Sequence, residues 1–544
     1  MVTATSLFDG HDAAINIMRR ILQSQGAEVI HLGHNRSVDD VVTAAIEEDA
    51  DAVAVSSYQG GHVEYFSYLV ELLAERGAPE VRVYGGGGGV ISPDEIETLA
   101  RRGVRIFSPE DGQRMGLAPM VNTIIADCDR PVEHRIDPEA VLGGSTGALA
   151  QALSALEAGL EVPDPLAGSA AAKGTPVLGV TGTGGSGKSS LTDELLRRIR
   201  LDTQEKLSVA VIAVDPNRRR SGGALLGDRI RMNSIDSAQI YFRSVGTRDS
   251  GSEVPPCVPH MVEVCAAAGY DLVVVETPGI GQGDAAVTGV ADVSLYVMTP
   301  EFGAASQLEK IEMLDAADVV AINKFERRGA MDALRDVRRQ MARNREEWGR
   351  EDEMPVFGTV ASRFNDDGVT ALYQHLRTVL SEAGLHFGEP RLEQVRGRTS
   401  SGISVVVPAQ RQRYLAEIAT TVRDYHQQTA EQAEVVEALD HLRFAESALQ
   451  ASGAPTGDVD QLIEVRQGEM SEETGELLAR YDSDASRLSG ADRPTRTSLA
   501  GTPVSRVALP RLSGDADRYR WLRAENLPGR FPFTGGSFET RRDD

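Results

Sequence analysis

Residues 182–189 read Gly-Thr-Gly-Gly-Ser-Gly-Lys-Ser, which is the full GxxxxGK[ST] pattern of a phosphate-binding loop. The apolar run 176–181 precedes this loop, and a helical pattern over 190–199 follows it. A strand, a glycine turn and a helix start in that order let successive backbone N–H groups surround a polyphosphate. We therefore expect the chain to bind a nucleoside triphosphate, with Lys188 as a catalytic residue at the terminal phosphates and Ser189 on Mg²⁺. The predicted nucleotide-binding residues of the loop are Gly182, Gly185, Ser186, Gly187, Lys188, Ser189 and Ser190.

Three acidic residues stand at or just beyond the ends of strand-like runs. Glu276 lies at the end of the run 271–277, Asp215 follows the run 207–214, and Asp228 comes shortly after it. A carboxylate at the carboxyl end of a strand beside a phosphate loop is placed to sense Mg²⁺ and the γ-phosphate. Because Mg²⁺ prefers few carboxylates plus phosphate oxygens and water, we predict Glu276 as a catalytic residue on the ion or its water. Asp215 and Asp228 are predicted as further ligands, although each alone could be a cap or turn residue.

A third element follows the strand-like run 318–322. The residues Asn323-Lys324-Phe325-Glu326 are close to the NKxD element that reads guanine in GTPases. The acidic side chain of that element accepts hydrogen bonds from guanine N1–H and N2–H, which adenine cannot offer. Glu326 stands where the element has Asp and keeps the carboxylate on a longer stem. The sequence therefore predicts a preference for GTP, whose strength the substitution leaves open.

A separate constellation near the start of the chain could hold a metal-containing ligand. In Asp9-Gly-His11, a neutral imidazole can ligate a metal through one nitrogen while the carboxylate accepts from the other, which fixes the tautomer. Asp-x-His alone is common, but small residues follow the strand-like runs 52–56 and 81–84 and leave a slot for the tail of a large planar ligand. The alternative is that the glycine run 85–89 is only a flexible turn. That alternative does not account for the position of the run at the end of a strand. The residues concerned are Ser56, Tyr58, Gly61, Gly85 and Gly86.

Length, charge and cysteine content limit the number of domains, the kinds of partner and the cellular compartment that the sequence allows. The chain has 544 residues and a formal net charge of −25 at pH 7. At about 150 residues per domain, this length predicts three or four domains, and the negative charge argues against a nucleic-acid partner. The three cysteines form no CxxC pair, and there is no signal-peptide pattern or run of about 18 apolar residues. We therefore expect a cytoplasmic protein with neither a nucleic-acid nor a membrane partner.

The elements that must position these residues alternate between short β-branched runs and helix-length segments. Near-continuous apolar strands separated by helices predict a parallel sheet covered on both faces. The expected fold class is α/β, with a doubly wound parallel-sheet domain, a P-loop domain, and then a helical arm and an extended linker. Long charged helices are predicted over 408–452 and 458–484. The predicted strands are 28–32, 52–56, 81–84, 104–107, 176–181, 207–214, 271–277, 293–298, 318–322 and 355–359.

Three stretches of the sequence together resemble one family. Val-Asp-Pro followed by Ser-Gly-Gly-Ala-Leu-Leu-Gly-Asp-Arg, then Glu-Thr-Pro-Gly-Ile-Gly-Gln, and then Asn-Lys-Phe-Glu-Arg are similar to the GTPase chaperones of cobalamin-dependent acyl-CoA mutases. Asn-Lys-Phe-Glu in particular resembles the version fused within isobutyryl-CoA mutases. The Asp9–His11 segment stands in the position of the DxHxxG motif of cobalamin-binding domains, and the later small residues match its SxL and GG elements. Ala14 stands where that motif has Gly, and Tyr58 where it often has Leu.

The resemblance implies roles for individual residues. Adenosylcobalamin would be bound with His11 as the lower ligand of cobalt. Arg231 would contact GTP, and Gln282 would be a catalytic residue that positions water. The residues implied to surround Mg²⁺ are Ser189, Asp215, Asp228, Glu276 and Thr277.

Changes of pattern along the chain, such as the Pro- and Gly-containing stretch 159–174 without an apolar period, predict a domain order together with the resemblance. The implied segments are a cobalamin-binding domain over 1–145, a linker over 146–174, a P-loop GTPase domain over 175–400, a helical arm over 401–485 and a linker over 486–544. The tail from Arg506 to Gly536 resembles the arm that leads into the substrate barrel of these mutases. A (β/α)₈ barrel takes about 250 residues, so we expect the barrel to come from a separate polypeptide, or the chain to be a divided form. The candidate partners are a mutase barrel polypeptide, a second copy of this chain in a homo-oligomer, and a cobalamin adenosyltransferase.

The leading hypothesis is a GTP-hydrolysing chaperone joined to an adenosylcobalamin-binding domain, within a system that interconverts isobutyryl-CoA and n-butyryl-CoA. The rival hypothesis is a non-catalytic cobalamin carrier or sensor timed by GTP hydrolysis. A third, a GTPase that inserts another metal centre, would require clusters of Cys and His that the sequence lacks.

Overall fold

A computed structural model describes residues 1–129, 134–218, 221–248, 253–279, 285–302, 308, 311–401, 414–489, 495–497, 503–505, 510–512, 514–524 and 526. These residues form two compact units, Met1–Val406 and Val407–Asp544. In the parts of the chain so described, no helix combines the length and the apolar character needed to cross a bilayer.

The first unit opens with a six-stranded parallel sheet. Its strands are β1 (Val2–Ser6), β2 (Glu28–Arg36), β3 (Ala52–Ser56), β4 (Arg82–Gly86), β5 (Val104–Phe107) and β8 (Ala224–Leu226). They lie in the order β5-β4-β3-β1-β2-β8. The central strand β1 was not predicted, because Thr3, Thr5 and Ser6 interrupt its apolar pattern.

Helices cover both faces of this sheet. They are α1 (Ala13–Ser24), α2 (Val38–Glu47), α3 (His62–Glu75), α4 (Pro93–Arg101), α5 (Pro109–Met115) and α6 (Leu117–Cys128). Successive residues of a strand point to opposite faces, so Val53 and Val55 belong to one apolar cluster while Ala52 and Ala54 belong to another. The doubly wound α/β prediction for this region is confirmed.

A seven-stranded parallel sheet forms the rest of the first unit. Its strands are β6 (Val177–Gly182), β7 (Val209–Asp215), β9 (Ile240–Gly246), β10 (Leu272–Glu276), β11 (Val293–Met298), β12 (Val319–Asn323) and β13 (Val356–Thr359). They lie in the order β13-β12-β11-β6-β10-β7-β9, which places the strand before the phosphate loop at the centre. The flanking helices are α10 (Lys188–Thr203), α11 (Val258–Ala267), α12 (Met313–Ala316), α13 (Ala330–Asn344) and α14 (Asp367–Glu382).

Residues 146–174, expected to be a linker, instead hold two helices. Helix α7 (Pro138–Leu142) comes just before this segment, and α8 (Thr146–Glu157) and α9 (Asp164–Lys173) lie within it. Leu153 and Leu166 are fully buried in the cluster that covers one face of the seven-stranded sheet. The alanines of this segment give α9 its helix propensity, and Gly174 ends that helix in a left-handed conformation.

The strand β8 joins the two sheets. It belongs by sequence to the segment that follows β7, yet Ala224, Leu225 and Leu226 pair in parallel with Glu28, Val29 and Ile30 of β2. A β-carbon on Gly223 would lie 2.3 Å from the carbonyl oxygen of Gln23, so only glycine allows this close approach. The edge of the first sheet is therefore completed by the nucleotide domain.

Ion pairs support the same junction. Arg229, which is 8% exposed, donates to Glu47 at 2.5 Å and to Glu48 at 3.4 Å, both at the end of α2. Arg243 of β9 donates to Glu157 at 2.9 Å. Burial raises the pKa of Glu47, although the pairing with Arg229 opposes that rise. Removal of one partner of such a buried ion pair lowers the stability of the protein, because the other charge is left buried and unpaired.

The second unit is mainly helical. Its elements are α15 (Tyr414–Ser452), α16 (Gly457–Glu469), α17 (Glu472–Ser489), α18 (Asp515–Arg523) and an antiparallel pair formed by β14 (Thr495–Thr497) and β15 (Pro503–Ser505). The long helix predicted over 458–484 is interrupted at Met470 and Ser471. There the Ser471 hydroxyl accepts the N–H of Thr474 at 3.2 Å and so caps the start of α17.

Candidate functional site

The phosphate loop has the backbone that its glycines predict. β6 ends at Gly182 and α10 begins at Lys188, so the N–H groups between them precede a helix start. A β-carbon on Gly182 would lie 1.9 Å from the carbonyl oxygen of Val297. Gly187 has a φ of +88°, and its β-carbon would lie 2.6 Å from the Asn323 amide nitrogen. The predicted loop residues Gly185, Ser186 and Ser190 lie in the same turn and first helical residues.

Lys188 and Ser189 open the helix next to buried acidic groups. The Lys188 ammonium donates to the Gly182 carbonyl at 3.2 Å. Burial lowers its pKa, while Glu276 and Asp228 oppose that effect. The Ser189 hydroxyl lies 2.9 Å from Asp228 Oδ1 and 2.8 Å from Glu276 Oε1. The structure thus brings together four of the residues that the sequence analysis selected.

Asp215 completes a group of three carboxylates, with Asp228 and Glu276. Its Oδ2 accepts the N–H of Gly227 at 2.9 Å, directly before Asp228. Burial, with the nearby charge of Asp228, raises the pKa of Asp215 to about 7, and the same two causes raise the pKa of Glu276 to about 7. Glu276 Oε2 is buried without a hydrogen-bond partner.

This donor set fits Mg²⁺. A cation would offset the carboxylate repulsion and give the orphaned Glu276 oxygen a partner, and Ser189 supplies a hydroxyl oxygen. Among the described residues, no group of three or more His, Cys, Asp or Glu side chains is compact enough to hold a metal ion by itself. Mg²⁺ requires no such group, since it is usually held by one or two carboxylates together with phosphates and water.

The remaining residues predicted near Mg²⁺ have other surroundings. The Thr277 hydroxyl lies 2.8 Å from the Thr181 hydroxyl and 3.3 Å from Glu253 Oε2. Arg231 is 66% exposed, with its guanidinium 3.8 Å from Asp228 Oδ1. Gln282 lies outside the described residues. The roles predicted for these three residues stay predictions.

The Asn323 element binds the phosphate loop in this structure. Asn323 is buried, and its amide nitrogen donates to the Ser186 carbonyl at 2.8 Å. The Lys324 ammonium donates to the Gly185 carbonyl at 2.7 Å. The Phe325 N–H donates to the Thr359 carbonyl at 3.0 Å, while Glu326 is exposed. Glu326 is therefore accessible to a base, as the guanine prediction requires.

Sequence reasoning missed the loop after β13. The Ala361 N–H donates to Asn323 Oδ1 at 3.0 Å, and the Thr359 hydroxyl donates to the same oxygen at 3.3 Å. These contacts fix the Asn323 amide so that its nitrogen faces the phosphate loop. The run 355–359 was predicted as a strand, but its sequence carries no signal for a contact with an amide on the neighbouring strand.

The second candidate site lies at the carboxyl ends of β1 and β3. His11 Nδ1 lies 2.8 Å from Asp9 Oδ1, and Asp9 Oδ2 accepts the N–H of Tyr58. Burial acts to raise the pKa of the Asp9 carboxyl, but the N–H groups of Tyr58 and His11 and the imidazole hold that pKa below its usual value. The His11 side chain is 66% exposed. Its second nitrogen is thus free to ligate a metal, in the predicted geometry.

A cavity of about 410 Å³ lies between α1 and the ends of β3 and β4, and Tyr58, whose ring neighbours the His11 imidazole, is part of its lining. Ala14, Ser56, Tyr58 and Gly86 are among the residues that line it, and Gly85 lines it as well. The Ser56 hydroxyl is buried there without a hydrogen-bond partner. An apolar cavity with one orphaned hydroxyl, next to an exposed imidazole, fits a metal macrocycle with a heterocyclic tail.

Two of the predicted glycines have roles of their own in the backbone. A β-carbon on Gly85 would lie 2.4 Å from the ring of Phe66, so this glycine is required by the packing of α3 on β4. Gly61 has a φ of +84° and precedes the first residue of α3. It is absent from the described lining of the cavity, and its predicted part in ligand binding stays a prediction.

Comparisons with known families agree with both sites. The family model described as methylmalonyl-CoA mutase-associated GTPase MeaB matches residues 165–437. The B12 binding domain model matches residues 1–112. The phosphate loop, the three carboxylates and Asn323 lie within the first range, and Asp9, His11 and the glycine run lie within the second.

Whole-chain relatives carry the same two parts. A fused isobutyryl-CoA mutase of Nocardia farcinica is 56% identical over 561 aligned positions, which cover 100% of this chain and 52% of that protein. A fused isobutyryl-CoA mutase of Cupriavidus metallidurans is 53% identical over 561 positions, covering 100% of this chain and 51% of that protein. The chain therefore spans about half the length of these relatives. The GTPase ArgK of Escherichia coli is 37% identical over 148 positions, 27% of this chain and 44% of that protein.

Proposed function

Because this chain belongs to the family of methylmalonyl-CoA mutase-associated GTPases (MeaB) and carries a B12 binding domain ahead of it, we propose that it hydrolyses GTP to control a bound adenosylcobalamin. The observation that carries the proposal is that β8 connects the nucleotide site to the sheet of the B12 binding domain. In the sequence, the strand lies between Asp215 and Asp228, two carboxylates of the predicted Mg²⁺ site, and it completes the sheet that presents His11.

In the nucleotide site, the chain acts by positioning and by charge. The loop N–H groups and Lys188 hold the phosphates, and Lys188 stabilises the charge that develops on the γ-phosphate oxygens. Mg²⁺, when bound, would neutralise part of the phosphate charge. Ser189, Asp215, Asp228 and Glu276 would hold the ion. Glu326 would accept hydrogen bonds from the guanine edge, and Gln282 would orient water.

In the corrinoid site, His11 serves as the lower ligand and Asp9 fixes its tautomer. Adenosylcobalamin, when bound, supplies radical chemistry to an acyl-CoA substrate. Ser56 and the glycine run hold the tail, while the apolar cavity keeps water from it. The relatives, which are fused isobutyryl-CoA mutases, support interconversion of isobutyryl-CoA and n-butyryl-CoA as the reaction of the whole system. We propose a mutase barrel polypeptide, a second copy of this chain and a cobalamin adenosyltransferase as partners in the cytoplasm.

Coupling between the sites is tested by substituting Gly223. In Gly223→Ala, the new β-carbon meets the Gln23 carbonyl, so we expect β8 to separate from β2. Coupled sites typically change each other's affinity by about 5-fold to 150-fold. We expect the dissociation constant of hydroxocobalamin to differ by such a factor between the GDP-bound and GTP-analogue-bound native protein, and the difference to fall towards one in Gly223→Ala.

The control for this experiment is Leu225→Ala. It shortens a side chain that is 39% exposed and leaves the β8 backbone free to pair. Because linkage is reciprocal, hydroxocobalamin should change the affinity for the GTP analogue by the same factor in the native protein and in Leu225→Ala. Equal corrinoid affinities in both nucleotide states of the native protein would contradict the proposed control.

The carboxylate pKa values predict a pH dependence of metal binding. Asp215 and Glu276 both have a pKa raised to about 7, so each must lose a proton before Mg²⁺ binds. We expect Mg²⁺ affinity at the GTP site to fall from pH 8 to pH 6 by about tenfold for each carboxylate that must lose its proton. Isothermal titration of Mg²⁺ into protein with a GTP analogue at both pH values measures this. An affinity independent of pH would contradict the assignment of these carboxylates as ligands.

The same shifts predict how stability depends on pH without Mg²⁺. Between the ordinary carboxyl pKa and about 7, the folded chain binds more protons than the unfolded chain. The contribution of these two groups to the free energy of unfolding is therefore present at low pH and lost as pH rises through about 7. We expect Mg²⁺ with a GTP analogue to raise the melting temperature more at pH 8 than at pH 6.

A further inference from the structure

The loop between β1 and α1 holds one bulky residue in a strained backbone conformation. Phe8 has a φ of +64°, in the left-handed region that large side chains rarely adopt. Its N–H donates to Asn35 Oδ1 at 2.8 Å. Asn35, itself at a φ of +56°, donates its N–H to the Asp9 carbonyl at 3.3 Å. The end of β2 thus clamps the residue that precedes Asp9.

The strained residue is also exposed. Phe8 is 82% exposed, which is the highest value among the large apolar residues that the structure describes. The strained backbone of Phe8 places its ring in water, so no apolar burial offsets the strain. Packing within this unit therefore does not explain the conformation. Strain of this kind gathers at ligand-binding sites, where the surrounding structure holds it in place.

The position of the ring indicates what covers it. Phe8 lies three residues before His11, and Leu7 beside it and Ile17 on α1 are also exposed, by 39% and 49%. Tyr58 flanks His11 from the β3 side, with ring centroids 5.7 Å apart. A flat macrocycle whose metal is bound at the imidazole extends beyond that ring on every side. On the β2 side of His11, the nearest described segment that such a macrocycle could reach is the one that Asn35 clamps.

We propose that Phe8 is a second contact of the bound corrinoid, whose ring supports the macrocycle on the β2 side of His11. Asn35 is the positioning residue that holds Phe8 there. The inference rests on the proposed corrinoid site. A protein partner is the other way to cover an exposed phenyl ring, but the clamp ties Phe8 to the backbone of Asp9, and so to the ligand imidazole itself, which favours the corrinoid.

Titration of the purified full chain with hydroxocobalamin, followed by its absorption spectrum, tests this proposal. We expect Phe8→Ala to raise the dissociation constant by roughly tenfold or more, because the apolar area covered by the macrocycle is lost. The spectrum at saturation should still show imidazole ligation, since His11 is intact. Phe8→Leu should bind almost as the native chain does, because it keeps most of the apolar surface. Trp348→Ala, which removes an aromatic residue that is 70% exposed on the nucleotide domain, should leave the affinity unchanged.

Asn35 supplies an independent arm of the test. Asn35→Gly keeps a left-handed backbone accessible and removes the acceptor for the Phe8 N–H. It should weaken hydroxocobalamin binding, and the double variant with Phe8→Ala should bind no more weakly than Phe8→Ala alone, because both changes act through one contact. Melting temperature and affinity for a GTP analogue report whether each variant is folded.

The outcomes separate this proposal from the one on which it rests. If the native chain forms an imidazole-ligated complex and Phe8→Ala binds hydroxocobalamin within twofold of it, Phe8 is not a corrinoid contact. Unchanged corrinoid affinity together with weaker binding of a mutase barrel polypeptide would assign Phe8 to a protein interface and likewise overturn the proposal. A native chain that never forms the imidazole-ligated complex would overturn the corrinoid site and, with it, this inference.

Discussion

Lys188→Ala is expected to lower the turnover number for GTP hydrolysis by about 100-fold to 1,000-fold, the cost of removing one well-placed donor to a developing negative charge. The Lys188 ammonium is buried and bonds a carbonyl of its own loop, so it is already held among the phosphate-binding groups. Its removal also takes a positive charge from beside Glu276 and Asp228. Phosphate release at saturating GTP and Mg²⁺ measures the effect.

Lys206→Ala is the matched control, since Lys206 is an exposed lysine just after α10. It should hydrolyse GTP as the native chain does. Lys188→Arg keeps the charge but changes its shape and reach, and we expect it to be impaired as well. Hydroxocobalamin binding by Lys188→Ala shows that the rest of the first unit is folded. If Lys188→Ala hydrolyses GTP at the native rate, the phosphate-loop assignment is wrong.

The parts of the nucleotide site that depend on local sequence were predicted well. The phosphate loop turns where its glycines require positive φ, and the strands on both sides are apolar runs bounded by polar residues. Glu276 and Asp215 fall at strand ends, and parallel strands bring their ends to one edge of the sheet. Glu276 accordingly lies 2.8 Å from the Ser189 hydroxyl, which lies at the start of the helix after the central strand.

The strands β8 and β9 were not predicted, because neither has the uninterrupted apolar run by which the predicted strands were recognised. β9 carries Arg243 in the middle of an otherwise apolar run. The arginine is tolerated because Glu157 and Ser154 of α8 receive its guanidinium, and these residues lie far away in the sequence. β8 has three residues between glycines, too few for any periodicity, and its partner β2 belongs to another domain. Non-local pairing of this kind leaves no signal in a short window of sequence.

The Phe8–Asn35 clamp escaped prediction for a different reason. Both residues adopt positive φ without being glycine, which sequence alone does not indicate. Asn tolerates that conformation through its short polar side chain, whereas Phe does not. The two residues meet only because β1 and β2 are neighbours in the sheet. The sequence therefore indicated the imidazole and its carboxylate, but not the loop that surrounds them.

His11→Ala is expected to abolish the absorption spectrum of imidazole-ligated cobalamin, because it removes the exposed imidazole whose Nδ1 is held by Asp9. The variant should fold. Asp9 keeps the Tyr58 N–H and the N–H of residue 11 as donors to its buried carboxylate, so no buried charge is left without a partner. Titration with hydroxocobalamin should then show either no binding or a complex whose spectrum lacks the histidine ligand.

Asp9→Asn separates the ligand from its orienting partner. Loss of a second partner that fixes the tautomer of a ligating histidine costs about 10-fold to 100-fold in affinity, so this variant should bind more weakly and still show imidazole ligation at saturation. His260→Ala, which removes an exposed histidine of the nucleotide domain, should bind as the native chain does. A native spectrum in His11→Ala would exclude His11 as the ligand. We therefore expect hydroxocobalamin affinity to rise in the order His11→Ala, Asp9→Asn, His260→Ala. If the Asp9–His11 pair had only a structural role, its loss would lower the melting temperature and leave the spectrum unchanged.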